Sequence, residues 1–363
     1  MANLKDTTID STGFLRFPVG TTDQRPSSPT IGMMRVNTDR SADPVLEFWD
    51  GEDWLVFGGF EPIFATGGTV EDVDIDGITY RIHSFVDVGS HTFEVQSLGS
   101  TNGEIEFLVV AGGGSGGTTG GGGGGAGGLV STLGSPTQVS TGSYTVTVGS
   151  GAPRATGWRS GVGGGNGNDS SAFGFTARGG GGGADHPSYE KTNGSINAGS
   201  GGSGGGGRES SGASATQPGT NPSAVIDAGN PGGDGDGGNG DMQGGGGGAG
   251  SAGQAGSGTS GGDGGVGIDL SDLIGSDYGE NGYFAGGGGS GIYLSTSNNA
   301  AKGGIGGGGD GGQVTSFSSS SVEDGQPNTG GGGGGGGYDE RNDSVDNSGA
   351  GGSGVVIIRY RAS

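Results

Sequence analysis

Apolar residues in this chain are gathered into short runs near its two ends. Three such runs lie near the beginning, at residues 32–37, 45–49 and 54–57. An Asp50-Gly51 pair, which is typical of a tight turn, separates the last two. The spacing predicts a small antiparallel β-module. Trp49 and Trp54 flank the turn, where we expect them to form a hydrophobic clamp. Stacking on carbohydrate is the alternative role for the two rings.

Two further strands are predicted on either side of the remaining chain. Residues 61–110 contain the alternating segments ITYRIHSFVDV and HTFEV, and they end in the run EIEFLVV at 104–110. A second apolar run, VVIIRY, occupies 355–360. Continuous apolar runs of this length are typical of buried strands. We predict that the two runs pair. In a closed domain the chain has to come back to the strand at which it left the sheet.

Glycine dominates the sequence between these two strands. The chain has 101 glycines among 363 residues, and the longest uninterrupted run, at 330–337, has eight. Such a composition is usual for a flexible linker or a disordered tail. The bracketing strands favour an ordered domain instead, since a disordered tail needs no buried strand after its last glycine.

Glycine runs of this length can fold as polyproline II helices. That conformation has three residues per turn and leaves its N–H and C=O groups free to pair with neighbouring rods. Collagen is excluded because glycine does not recur strictly at every third residue. We therefore predict a mostly irregular and β fold. It has an antiparallel β-module at 1–60, a strand region at 61–110 that forms the base of the next domain, and a glycine-rich domain of packed polyproline II helices with distal loops at 111–363.

The segments that interrupt the glycine runs sort into two groups. Those with apolar or strand-like character suit the base of the domain, and they lie at 129–148, 171–178 and 267–275. Those rich in Tyr, Asn, Ser and charged residues are left for the distal end, and they lie at 118–119, 184–197, 239–243, 292–302 and 338–348. Such loops are typical of binding surfaces, because tyrosine supplies rigid contact area and Ser and Asn adapt their hydrogen bonds. Simple solvated turns are the alternative.

Charge and candidate chemistry exclude several functions. The net charge is -23, with 15 Lys+Arg against 38 Asp+Glu, which argues against binding nucleic acid. The three histidines, His83, His91 and His186, have no metal-site spacing. The stretch GGDGDGGNGD at 232–241 is similar to a calcium-binding repeat but has Gly237 where the repeat needs Asp. We expect neither an enzyme nor a cofactor, and calcium binding by a loop is left open. The beginning of the chain predicts neither a leader nor a membrane span.

Several motifs resemble those of a known family. The segments EIEFLVVAGGGSGG, SYTVTVGSGAP, SAFGFTARGGGGG, NTGGGGGGGG and GAGGSGVVIIRY resemble the glycine-rich domain of bacteriophage tail-fibre proteins, over roughly residues 91–360. The motifs GTTDQRP, GMMRVNT and EFWDGEDW are similar to a short β-module of phage virion proteins. The glycine-rich part looks like the adhesins at the tips of T-even-like long tail fibres. That likeness implies layered polyproline II rods whose distal loops contact the host. Carrying an N-terminal β-module of its own sets this chain apart from those adhesins.

The resemblance implies a virion fibre protein, made in the host cytoplasm, that binds an outer-membrane protein or polysaccharide of the host surface. The residues expected to contact this receptor are His186, Tyr189, Lys191, Tyr293, Lys302, Tyr338 and Arg341. Attachment to other tail or fibre proteins and assembly into a homotrimer are expected of the N-terminal module, through Phe48, Trp49, Trp54 and Phe57. A structural head fibre or decoration protein is the alternative function. An ice-binding protein is a third, which the long irregular loops disfavour.

Overall fold

The chain forms two compact units, Met1–Glu61 and Pro62–Ser363. The computed structural model describes residues 15–40, 44–58, 60–156, 163–185, 197–209, 211–236, 242–258, 260–292, 301–315, 318–319, 322–339, 344–345 and 347–363. Nearly all regular secondary structure in these ranges is β-strand, in agreement with the predicted mostly β fold. The only helices described there are a single 3-10 turn and one four-residue α-helix, and neither is long enough to cross a membrane.

The N-terminal unit is a four-stranded sheet in the order β1-β2-β3-β4. Its strands are β1 (Val19–Gly20), β2 (Met34–Asn37), β3 (Val45–Trp49) and β4 (Trp54–Val56), and a 3-10 helix covers Thr22–Gln24. β2, β3 and β4 are antiparallel, as predicted. The Asp50 carboxylate forms the turn between β3 and β4 by accepting the backbone N–H groups of Glu52 and Asp53 at 2.8 and 2.7 Å.

The glycine-rich unit, Pro62–Ser363, contains the remaining strands. They are β5 (Phe64–Thr66), β6 (Thr69–Ile75), β7 (Ile78–Phe85), β8 (Gly89–Ser97), β9 (Glu104–Val110), β10 (Leu129–Ser131), β11 (Thr137–Gln138), β12 (Gly142–Val148), β13 (Ser170–Ala172), β14 (Phe175–Ala177), β15 (Ile226–Ala228), β16 (Ile268–Asp269), β17 (Tyr283–Phe284), β18 (Val314–Thr315), β19 (Ser318–Ser319), β20 (Tyr338–Asp339), β21 (Ser344–Val345) and β22 (Val355–Arg361). Helix α1 covers Ser271–Ile274.

Two sheets form the base of this unit. One has the order β15-β10-β9-β22-β7-β6, with β11 also paired to β9, and the other has the order β14-β13-β12-β8-β5. The predicted pairing of the two bracketing strands is confirmed, because β22 lies antiparallel to β9 with Val355 opposite Val110. Residues 107–110 of β9 and 355–358 of β22 are continuous apolar runs because both faces of the sheet are buried there. Phe107 and Ile358 pack toward the second sheet, whereas Leu108 and Ile357 pack on the other side against the apolar residues around α1.

The glycine segments above the base are joined by backbone hydrogen bonds rather than by side chains. The central segment, 121–128, illustrates the pattern. Its N–H groups donate to three neighbouring segments in turn. The N–H groups of 121, 124 and 127 donate to 330–336, and those of 122, 125 and 128 donate to 178–184. Those of 123 and 126 donate to 244–247. Its carbonyl groups accept hydrogen bonds from three other segments, 111–117, 203–206 and 288–291, again with the same partner at every third residue. Every third residue therefore faces the same neighbour, and six segments surround this one.

Such close packing leaves no room for side chains at most positions of these segments. A Cβ atom added to Gly124 would lie 2.2 Å from the carbonyl oxygen of Gly114. That distance is far inside van der Waals contact, and the atom it meets belongs to a hydrogen-bonded backbone. The core of the glycine segments consequently consists of backbone, which explains why glycine is required in runs.

Candidate functional site

The ends of the glycine segments that lie farthest from β9 and β22 form what we term the distal end. It contains Thr118, Asp185, Arg208, Ile292 and Tyr338. Three contacts bring the segments together there: Met242 forms a β-bridge with Ile292, the Tyr338 N–H donates to the Ile292 carbonyl at 3.0 Å, and the Gly120 N–H donates to the Gly336 carbonyl at 2.8 Å. These contacts join residues in or beside four of the five predicted distal loops.

Buried polar side chains hold the distal end together. The Thr118 hydroxyl donates to the Asp185 carboxylate at 3.0 Å, and both residues are fully buried. The Arg208 guanidinium, 2 % exposed, donates to the carbonyl oxygens of Thr119 and Gly120, the latter at 2.6 Å. Thr119 has the left-handed backbone conformation, with φ of 51°. Arg208 thus fixes a strained turn whose carbonyl groups would otherwise be buried without partners.

Most of the predicted receptor-contacting residues lie outside the described residues, namely His186, Tyr189, Lys191, Tyr293 and Arg341. The two that are described differ in their surroundings. The Lys302 side chain is 70 % exposed, and its ammonium group forms an ion pair with Asp310. The hydrogen bond from this pair raises the pKa of Lys302. Tyr338 is only 4 % exposed, so its ring packs inside the distal end and presents no face to solvent.

A polar cleft of about 580 Å³ opens beside Lys302. Its lining includes the side chains of Gln254, Ser260, Asp263 and Gln313. One carboxylate oxygen of Asp263 accepts the backbone N–H of Lys302 at 2.7 Å, which fixes the wall of the cleft. Amide, hydroxyl and charged groups in one cleft can hydrogen-bond a polar ligand.

The second predicted site, on the N-terminal unit, is divided between the two faces of its sheet. Six apolar residues share what we term the open face, Met34, Val36, Leu46, Phe48, Leu55 and Phe57. None of the six is buried, and Phe57 is 60 % exposed. The rings of Phe48 and Phe57 meet edge to face, with centroids 6.1 Å apart.

Trp49 and Trp54 lie on the opposite face of this sheet. They are cross-strand neighbours with ring centroids 5.8 Å apart, and Trp54 is 7 % exposed. This contact confirms the predicted hydrophobic clamp at the Asp50-Gly51 turn. The four residues predicted for attachment thus form two separate pairs, of which only Phe48 and Phe57 lie on the open face.

A buried carboxylate lies at the centre of the clamp face. Glu47 is fully buried, and its side chain pairs with Arg25 at 2.6 Å, Arg40 at 3.3 Å and Arg35 at 3.4 Å. Asn37 also donates to both carboxylate oxygens. Burial acts to raise the pKa of Glu47, but the hydrogen bonds from Arg25 and Asn37 outweigh it, and the pKa is lowered. This cluster was not predicted, although Arg25, Arg35 and Arg40 lie within 22 residues before Glu47 and were a usable signal.

His83 has a structural role. His83 is fully buried, and its ring nitrogens lie 2.7 Å from the Gly67 carbonyl oxygen and 2.9 Å from the Tyr360 hydroxyl. A carbonyl only accepts, so Nδ1–H donates to Gly67 and Nε2 accepts from Tyr360. Burial lowers the pKa of His83 and raises that of Tyr360 to about 12. Within the described ranges, no three His, Asp or Glu side chains are grouped so that they could hold a metal ion.

Comparison with known proteins assigns the larger unit to a family. No curated protein matches the chain. The family model described as a glycine-rich domain matches residues 88–361, which is more than half of the chain. The matched region begins beside β8 and ends with β22, so it includes β9, all the glycine segments and the strand that closes the base. The chain therefore belongs to the glycine-rich domain family.

Proposed function

We propose that this protein is a bacteriophage virion fibre protein, made in the host cytoplasm, that binds the host cell surface through loops at its distal end. The observation that carries the proposal is the convergence of loop-bearing segments at that end, opposite a base closed by strands. A binding protein needs loops that can vary while their support stays rigid. Here the loops are supported by glycine segments that are joined by backbone hydrogen bonds. Loop residues can therefore change without altering the segments that support them.

We further propose that the glycine segments are polyproline II helices. The rotation of hydrogen-bond partners supports this, because a helix with three residues per turn directs every third residue at the same neighbour. The segment 121–128 follows that rule for both its N–H and its carbonyl groups. An α-helix would pair residues four apart within one segment, and a β-strand would alternate between two sides.

The receptor of this proposal is an outer-membrane protein or a surface polysaccharide. Tyr189 and Tyr293 would supply rings that stack on a sugar or pack on a protein loop. His186, Lys191, Lys302 and Arg341 would supply charge and hydrogen bonds to acidic groups of the receptor. Tyr338 is left out of this set because its ring is buried.

Binding of the purified, fluorescently labelled chain to a panel of bacterial strains tests the function. We expect saturable binding to at least one strain, and a loss of at least about tenfold in affinity for the Tyr189→Ala and Tyr293→Ala variants, as for interface hot spots. Val88→Ser is the matched control, because Val88 is 54 % exposed and lies at the base. Undiminished binding by both tyrosine variants would contradict the tip assignment. Antibody labelling on capsids rather than on tails or fibres would favour the head fibre or decoration protein.

The N-terminal unit is proposed to attach the protein to other virion proteins and to assemble it into a homotrimer through the open face. A face of six apolar residues without a charge can pack against identical copies without electrostatic repulsion. Native mass spectrometry tests this proposal. The chain should have the mass of a trimer, Phe57→Lys should reduce it to a monomer, and Glu52→Lys, at an exposed position in the turn, should not. A trimer that persists in Phe57→Lys would exclude the open face as the interface.

A further inference from the structure

A second polar cleft, of about 480 Å³, lies on the flank of the glycine-rich unit beside β13 and β14. Its walls come from the segments 166–169, 176–179, 200–201 and 216–221. Neither Lys302 nor Tyr338, the two predicted receptor-contacting residues that the structure describes, lines it. We term it the flank cleft. Nothing in the proposed function makes use of it.

Hydrogen bonds fix the walls of the flank cleft. The Asn166 side chain donates to the Ser200 carbonyl at 3.0 Å and accepts the Gly182 N–H at 2.9 Å. The Asn221 side chain bonds both backbone groups of Thr176, donating to the carbonyl at 3.0 Å and accepting from the N–H at 3.1 Å. A cleft whose polar walls are already held in place loses little conformational entropy when a ligand binds.

Four polar groups in the flank cleft remain available to a ligand. Arg178 is exposed, and its guanidinium makes no ion pair or hydrogen bond with any residue in the described ranges. Asp169 uses one carboxylate oxygen to accept the Gly179 N–H at 2.8 Å, and its other oxygen has no partner in the same part of the chain. The hydroxyl groups of Thr176 and Ser200 are equally uncommitted to described residues.

We propose that the flank cleft binds a sugar acid, with the ligand's carboxylate on Arg178 and its hydroxyl groups on Asp169, Thr176 and Ser200. A guanidinium pairs with a carboxylate through two parallel hydrogen bonds, which is a geometry that Lys cannot reproduce. A free carboxylate oxygen and two hydroxyls are suitable partners for sugar hydroxyls. Arg178 is the only cationic residue that lines the cleft among the described residues.

The charge of the whole protein narrows the class of ligand. A net charge of -23 repels polyanions of high charge density, which excludes nucleic acids and polyphosphates. A saccharide with one carboxylate per sugar has a lower charge density and many hydroxyl groups. The cleft offers mainly polar surface, so it suits such a saccharide better than a lipid.

Glycan binding by the full-length chain tests the inference, with glucuronate, galacturonate and mannuronate oligosaccharides as probes and the corresponding neutral hexose oligosaccharides for comparison. We expect at least one uronate oligosaccharide to bind at least about tenfold more tightly than its neutral counterpart. Arg178→Gln should weaken that binding at least about tenfold and remove the preference for the acid, since only the charge-assisted pair is lost. The melting temperature should not change, because the guanidinium has no partner among the described residues.

Arg154→Gln is the matched control. Arg154 is 48 % exposed in the same unit, but it forms an ion pair with Asp324 and does not line the flank cleft. This variant should bind the acid like the wild-type chain. Tyr189→Ala should also bind it normally, so a failure of the distal-loop proposal and a failure of this one can be told apart. The inference is overturned if no uronate oligosaccharide binds better than its neutral counterpart, or if Arg178→Gln binds it as tightly as wild type.

Discussion

Val355 lies directly opposite Val110, so the first residue of β22 pairs with the last residue of β9. All of the glycine segments are inserted between these two residues. Both ends of the insertion are thereby held by one pair of adjacent strands at the centre of the base. The glycine segments can remain ordered because the chain enters and leaves them at fixed, neighbouring points.

The closing strand should therefore contribute strongly to stability. Ile358 is fully buried between the two sheets of the base, and we expect Ile358→Ala to lower the free energy of unfolding by about 2–5 kcal/mol. Val88→Ala, at a residue that is 54 % exposed, should change it by less than about 0.5 kcal/mol. Urea unfolding followed by circular dichroism measures both. Equal stability of the two variants would show that β22 does not close the unit.

Glycine segments should be intolerant of a single added methyl group where backbones touch. Gly124→Ala places a Cβ 2.2 Å from the Gly114 carbonyl oxygen, and we expect a loss of about 3 kcal/mol or more, because several hydrogen-bonded segments would have to separate. Gly165 is the matched control, since its nearest neighbour would be the Ala152 Cβ at 3.6 Å. Gly165→Ala should be neutral or stabilising by up to about 1 kcal/mol. Calorimetry of the two variants would refute a backbone core if it found them alike.

Acidification should destabilise the glycine-rich unit through His83. Burial lowers the pKa of this residue in the folded protein, so between that value and the ordinary value of about 6.5 only the unfolded chain takes up the proton. Stability should fall as the pH decreases below about 6.5. His83→Gln should reduce this slope, and His91→Gln should leave it in place. Chemical denaturation over a pH series provides the measurement, and an unchanged slope in His83→Gln would count against the assignment.

The N-terminal unit should depend on the ionised Glu47 carboxylate. Glu47→Gln leaves three arginines near an uncharged amide, and we expect a loss of about 3–5 kcal/mol, as for breaking a buried ion pair. Glu52→Gln, in the exposed turn, should cost less than about 0.5 kcal/mol. The transition of this unit in a calorimetric scan distinguishes the two variants.

The same carboxylate predicts a second pH dependence at lower pH. The pKa of Glu47 is lowered in the folded protein, so its stabilisation is complete above the ordinary glutamate value of about 4.3 and is lost as the pH falls through the folded value. In Glu47→Gln, the transition temperature of the N-terminal unit should decrease less over that range; Asp39 and Asp50, whose pKa values are also lowered, account for the remainder. If the variant retains the full decrease, another carboxylate must be responsible.

The strands were predictable because the residue types in a strand depend on whether its faces are buried and on the turn that follows it. Residues 107–110 of β9 and 355–358 of β22 are continuous apolar runs, since both faces are buried there. β3 and β4 are separated by a turn that Asp50 forms with its own side chain. The neighbours of each glycine segment could not be predicted. Glycine carries no side chain to distinguish one partner from another, so only the three-dimensional arrangement shows which six segments surround 121–128.

The candidate sites were predictable to a smaller extent. Counting outward and returning segments predicts polar loops at one end, but the burial of Tyr338 could not be read from its neighbours in the sequence. Glu47 and Arg208 are charged residues that composition alone places at the surface, yet both are buried with partners. The flank cleft joins residues from separate segments, so no local motif indicates it.

Cores built from side chains can adjust to a substitution, because rotamers shift and neighbouring groups move into new volume. The glycine core has no rotamers with which to do so. A new side chain there either fits between the backbones or forces whole segments apart. The core cannot adjust gradually by repacking side chains. Sequence change in this protein should therefore accumulate in the loops and the base. The glycine segments should remain nearly invariant, even among related chains whose loops differ completely.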